Sequence, residues 1–117
     1  MPRRGDRAAP PTRTGAWKLI FNDNAAAEGW EELCALAAGN MQVVYDHLST
    51  NPRDRTAKAG RVHQLQLDYA TRDVKGAKLE QWQWEVTGGG RIWYCPDDSR
   101  RIVHIMWAGV GHPSQTD

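Results

Sequence analysis

Sulfur, phenylalanine and net charge are all scarce in this sequence, and each scarcity excludes something. Cys34 and Cys95 are its only cysteines, and neither sits in a CxxC or CxxH spacing. That removes zinc-ribbon and thiol-redox patterns, and with them a secreted scaffold held by several bridges. Two free thiols are expected, with a single disulfide as the alternative. A net charge of +1 excludes a generally basic coat for nucleic acid. No apolar run approaches the length of a membrane span. The arginines near the start are followed by no apolar segment, so a signal peptide is not expected either. Cytoplasm is the expected location. One Phe stands against six Trp, which points to a core or cleft built from indoles.

A chain of 117 residues supports one domain with one core. Residues 1–15, MPRRGDRAAPPTRTG, are rich in Pro, Arg and small residues and read as a disordered basic arm, leaving 16–117 as the domain. Charge is segregated along the chain. The start is basic, Asp23 to Asp46 is acidic, and Arg53 to Arg61 is basic again, so local patches can steer partners despite a near-neutral sum.

Ala16 to Phe21 predicts a short strand, and Asn22-Asp23-Asn24 offers N-caps for a helix. Ala27, Trp30, Leu33, Cys34 and Ala37 then fall at helical spacing, with Gly39 as the expected stop. A second helix carries Met41, Val44, Tyr45 and Leu48 on one face, places His47 at its surface or C-terminal end, and stops at Asn51-Pro52. The short link predicts an antiparallel helix hairpin. Beyond Gly60 the period changes to two. Val62–Leu67, Lys78–Val86, Arg91–Cys95 and Arg101–Trp107 read as strands, with turns at Thr87–Gly90 and Pro96–Ser99. Trp82 and Trp84 share a face and are expected in the core. Trp93 and Tyr94 face opposite ways, so one should look outward. Val103, Ile105 and Trp107 should share a side. The predicted class is α+β: an N-terminal strand and a helix hairpin packed on a twisted antiparallel sheet of three to four further strands, whose other face stays partly open.

Gly88-Gly89-Gly90 tempts a phosphate-cradle reading. Such a cradle leads from a strand into a helix, whose N-terminus completes the anion site. Here a strand follows, so the glycines read as a hairpin turn supplying positive φ. The four histidines never pair at H-x₃-H spacing and have no cysteine close by, so neither a metal nor another cofactor is expected. No serine sits in a nucleophile elbow. The indoles near Trp93 could stack bases, though core packing accounts for the Trp82 and Trp84 pair.

The order of elements, together with "HLSTNPRDR", "HQLQL", "GGGRIWYCPDD" and "RIVHIMWAGVGHP", resembles the RelE/ParE-type toxins of bacterial toxin–antitoxin systems. Arg91-Ile92-Trp93-Tyr94 is similar to the family's "RliY" strand, and Val110-Gly111-His112 to its closing segment. The likeness spans Trp17 to about Pro113. Two departures stand out: Pro113 occupies a position where many members carry arginine, and the chain ends Ser-Gln-Thr-Asp where many end in tyrosine.

The resemblance implies a ribosome-dependent mRNA endoribonuclease that blocks translation without a metal. The ribose 2′-OH attacks the adjacent phosphorus, which requires a base, an acid for the departing 5′ oxygen, and cations for the phosphoryl charge. By position, Arg91 would hold the scissile phosphate. Arg61 and His63 would assist with phosphate or proton, and His112 would be acid or base. Arg53, Arg55 and Lys58, with Trp93 and Tyr94, would bind RNA. The implied partners are a cognate antitoxin, the ribosome and mRNA, with no membrane and no small-molecule cofactor. The alternatives are a toxin that poisons DNA gyrase without catalysis and a plain sheet-based RNA-binding domain.

Overall fold

The computed structural model describes residues 2–8, 16–56 and 61–111. The chain runs β1 (Lys18–Phe21), α1 (Asn24–Leu36), α2 (Ala38–Thr50), β2 (Val62–Gln64), a 3-10 turn at Leu67–Tyr69, β3 (Thr71–Val74), β4 (Ala77–Glu80), β5 (Trp82–Glu85), β6 (Gly90–Asp97) and β7 (Ile102–Val110). Five strands form one sheet in the order β1-β7-β6-β5-β2, and β3 and β4 form a separate two-stranded ribbon. The α+β class therefore holds. The sheet is mixed, however, because β1 runs parallel to β7 at one edge. No helix among the described residues is long and apolar enough to cross a membrane.

Local chemistry sets the helix ends. Asp23 adopts extended backbone and its Oδ1 accepts from the Ala26 amide at 2.8 Å, which satisfies one of the orphan donors of the first turn. The break between the helices falls at Ala37 (φ −149°, ψ 61°), so Gly39 lies inside α2 rather than stopping α1. α2 ends at Asn51, before Pro52, as the sequence requires. Gly29 lets α1 lie directly on β7, because a Cβ there would run into the Ala108 carbonyl. His47, expected at the surface or the C-terminal end of the helix, lies in the last turn of α2 but is buried, with its ring 4.5 Å from that of Trp84. The last turn of α2 is pressed against the sheet, so its inward side has no water to offer.

The helix-covered face holds the main core, which includes Leu19, Trp30, Leu48, Trp82, Trp84 and Tyr94. Trp82 and Trp84 thus pack as expected. The opposite face is not simply open. The β3–β4 ribbon and the 3-10 turn cover part of it, burying Val74, Trp93, Cys95 and Met106 with Leu65, Tyr69 and Leu79 packed alongside. Trp93 and Tyr94 do face opposite ways, but each meets a covered face, so neither looks outward.

One residue creates that ribbon. The alternation from Lys78 to Val86 predicts a single strand, but Gln81 divides it. The Gln81 amide donates to Ala70 O at 2.9 Å and its carbonyl accepts from Leu65 N at 2.9 Å. Its side chain donates to Tyr69 O at 2.9 Å and accepts from Arg72 at 3.2 Å. A buried amide with its partners satisfied fixes the corner at which β4 leaves the main sheet to pair with β3.

A second irregularity lies between β6 and β7. Tyr94 pairs with Ile105 but Trp93 pairs with Trp107, so Met106 is an extra residue in the ladder. Such a bulge reverses the side on which later residues point. Trp107 therefore shares the face of Trp93, and the expected grouping with Val103 and Ile105 is overturned.

Part of the N-terminal arm is docked rather than solvated. Gly5 N donates to Phe21 O at 3.0 Å and Ala8 N to Leu19 O at 2.8 Å, which places Arg7 in an antiparallel bridge with Ile20. These bonds cover the free edge of β1. Residues 9–15 lie outside the described residues.

Candidate functional site

The sheet face opposite the helices carries two rows of polar and aromatic side chains. Glu85 pairs with Arg91, and Arg91 with Gly109, across adjacent ladders. Glu85 N donates to Arg61 O at 2.9 Å, which continues that row to the edge strand. The first row is therefore Arg61–Glu85–Arg91–Gly109. Two residues along each strand, His63 pairs with Gln83, Gln83 with Trp93, and Trp93 with Trp107. Paired residues in antiparallel ladders share a face, as do residues two apart. Arg61, His63 and Arg91, which sequence reasoning placed in one site, are thus brought onto one surface.

Arg91 is the best held of the three. Its Nη2 lies 3.3 Å from Glu85 Oε1, and its Nη1 is 3.5 Å from Gly88 O. Its side chain keeps 14% of its exposure and that of Glu85 keeps 26%. The pair is accessible to a ligand while shielded enough to be oriented. The glycine run shapes this end of the strand without forming a nest for an anion. Thr87 Oγ1 accepts from Gly89 N at 3.2 Å and from Gly90 N at 2.8 Å, so those amides are used inside the turn. None of the three glycines has positive φ. Gly90 has a different reason for lacking a side chain: a Cβ there would meet Leu33 Cδ2 at 2.9 Å.

In the second row, His63 Nδ1 lies 3.2 Å from Gln64 O. When Nδ1 carries the proton and donates to that carbonyl, Nε2 is left as the acceptor. Trp93 Nε1 donates to Gln83 Oε1 at 2.8 Å, and its ring meets Tyr69 at 5.6 Å between centroids. Trp107 is only half-buried. Its ring lies over Gly109, where a Cβ would approach Trp107 at 3.3 Å. The glycine opposite Arg91 thus leaves room for the Trp107 indole on this face.

The remaining expected residues lie elsewhere. Tyr94 belongs to the helix-side core, where its hydroxyl donates to Pro52 O at 2.7 Å and burial pushes its pKa well up. It can neither stack on a base nor deliver a proton. Trp93 is buried as well, so Trp107 is the indole able to meet a ligand. Arg53 is bound to Glu80 at 2.9 Å and to Asp98 at 2.8 Å, away from the Arg91 row. Arg55 is exposed on the loop after α2. Lys58 and His112 lie outside the described residues. Among the described residues no three His, Cys, Asp or Glu side chains gather as a metal site.

No protein-family model matches this chain, and neither does any curated protein.

Sequence reasoning missed Glu85, Gln83 and Trp107. The first two were legible as the polar side of an alternating strand. Trp107 was not, because a bulge leaves no mark on the local pattern.

The rows have a definite chemical capacity. Two arginines bracket one glutamate in the first row, and an imidazole and a half-buried indole belong to the second row on the same face. That set can hold a phosphodiester in bidentate fashion, stack a neighbouring base, and offer an imidazole nitrogen to a proton.

Proposed function

We propose that this chain is a toxin of the RelE/ParE type that cleaves mRNA on the ribosome without a metal. The observation that carries the reading is the Arg61–Glu85–Arg91 row with His63 beside it on one accessible sheet face. Arg91 holds the non-bridging oxygens of the scissile phosphate, exchanging Glu85 for substrate, and Arg61 adds a second cation from the edge strand. His63 Nε2 takes the proton of the 2′-OH as that oxygen attacks phosphorus. The bond to the 5′ oxygen breaks, and that oxygen receives a proton from His112, assigned by the resemblance alone. The products are a 2′,3′-cyclic phosphate end and a free 5′-hydroxyl. Trp107, rather than Tyr94, stacks the neighbouring base. A cognate antitoxin protein would neutralise the toxin by covering this face.

In vitro translation with purified protein, followed by primer extension on the message, tests this directly. Discrete cuts that vanish in Arg91→Ala support the reading; intact message under translation arrest, or equal cutting by Arg91→Ala, defeats it. The closed Arg91–Glu85 pair favours a second reading, in which the face binds a protein such as DNA gyrase and cuts nothing. Expression would then raise a DNA-damage response with mRNA intact.

A further inference from the structure

A second basic feature lies at the opposite end of β6 and β7. A cavity of about 330 Å³ opens between the docked N-terminal segment, β1 and the β3–β4 ribbon, lined by Arg4, Ile20, Asn22, Lys75 and His104 among others. Its volume is at the small end of the range for pockets that hold small organic ligands. Four separate parts of the chain build it: the N-terminal segment, β1, the ribbon tip and β7. The bonds from Gly5 and Ala8 to β1 bring in Arg4, whose amide donates to Asn24 Oδ1 at 2.8 Å. The ribbon turns at Lys75 and Gly76, both at positive φ (51° and 86°), which sets Lys75 at its tip. His104 comes from β7, opposite Cys95 on one side and Ile20 on the other.

His104 is the unusual member. It is only 3% exposed and lines the cavity from the sheet side. The charges around it are mostly positive: Lys75 from the ribbon, Arg100 from the β6–β7 turn and Arg4 from the N-terminal segment, against Asp97 at the end of β6. Cys95, its strand neighbour, is a buried thiol. A guanidinium fork, an ammonium and an imidazole on one concavity match the acceptors of a phosphate monoester, while Ile20 supplies an apolar wall.

We infer that this cavity binds the phosphate group of a small phosphorylated molecule. Arg4 and Lys75 hold the phosphate oxygens and a His104 ring N–H donates to a third. His104 lies five residues along β7 from Gly109, so this site is about 17 Å from the Arg91 row by strand rise. It stands independently of the mRNA-cleavage reading.

NMR of the full chain, following the His104 ring, tests the inference with inorganic phosphate and adenosine 5′-monophosphate as probes. Both should move the His104 resonances saturably at pH 7. Arg4→Gln and Lys75→Asn should each weaken binding about tenfold. Both positions are exposed, and asparagine tolerates the left-handed backbone of Lys75, so these variants should fold. Lys75→Asn should leave mRNA cutting unaltered, and Arg91→Ala should leave phosphate binding unaltered. Any one of three results overturns the inference: no saturable shift, affinity in both variants equal to that of the unsubstituted chain, or a response confined to an oligoribonucleotide without terminal phosphates.

Discussion

Arg91 meets Glu85 across the β5–β6 ladder, with 3.3 Å between Nη2 and Oε1. The carboxylate both aims the guanidinium and competes with any anion for it. The two roles separate under mutation. Under the proposed mRNA-cleavage reading, Arg91→Ala should lower cutting by at least about a hundredfold, the usual loss when one preorganised donor to a developing anion is removed. Arg91→Lys should not restore it, because an ammonium lacks the planar fork. Glu85→Gln should raise affinity for a short oligoribonucleotide and steepen its salt dependence by about one unit, since one more cation is free to displace counterions. Fluorescence anisotropy at several salt concentrations reads both effects. Thermal stability should change by less than about 1 kcal/mol in each variant, as for other partly exposed pairs.

Trp93 and Trp107 face each other in the same ladder, yet their substitution should have opposite signatures. Trp93 is 1% exposed and bonded to Gln83, so Trp93→Ala should cost about 3–5 kcal/mol in urea unfolding. Trp107→Ala should cost much less stability and weaken oligoribonucleotide binding by about 1–3 kcal/mol through lost stacking.

Gly29 and Gly39 provide a test of packing against propensity. Alanine is favoured over glycine in helices by up to about 1 kcal/mol. At Gly39 nothing lies within 4 Å of the added methyl, so Gly39→Ala should stabilise by about 0.5 kcal/mol. At Gly29 the methyl meets the Ala108 carbonyl, and α1 must lift from β7. Overpacking of about 1–3 kcal/mol or more should exceed the propensity gain, so Gly29→Ala should lower the unfolding midpoint.

The buried histidines set a pH window for stability. Burial holds His47 below its ordinary 6.5, despite the opposing pull of Asp54 and the Pro52 carbonyl. Burial likewise lowers His104, against Asp97. A depressed histidine is neutral in the native state and binds its proton more readily once unfolded. Its contribution is therefore complete above about pH 6.5 and is lost as pH falls through the folded value. Urea midpoints should be level from pH 8 to 7 and decline from 6.5 to 5. His47→Gln should flatten that decline. Below pH 5, Glu80 adds its own loss, because the Trp82 indole N–H and Arg53 hold it under its ordinary 4.5.

Much of the fold was legible because it rests on local rules. The Asp23 cap, the stop before Pro52 and the buried Trp82 and Trp84 follow from capping, proline sterics and period-two alternation. The turn at the glycines was legible too, although Gly90 proved necessary for the approach of Leu33 rather than for positive φ. What failed depends on partners distant in sequence. Nothing near Gln81 announces that its amide will be satisfied by Ala70, Leu65, Tyr69 and Arg72, so the division of one strand into two could not be read.

The candidate site divides in the same way. Sequence by itself determined that His63 and Arg91 are polar members of alternating strands, with Arg61 in the basic loop just before the first of them, and so limited which residues could share a face. Only the tertiary structure decided which strands are neighbours, that the Met106 bulge puts Trp107 on the face of Trp93 and Arg91, and that both sheet faces are covered around Trp93 and Tyr94. Alternation is a property of one strand, set by its own pleat. Register, bulge and covering layer are properties of pairs, set by packing between segments tens of residues apart.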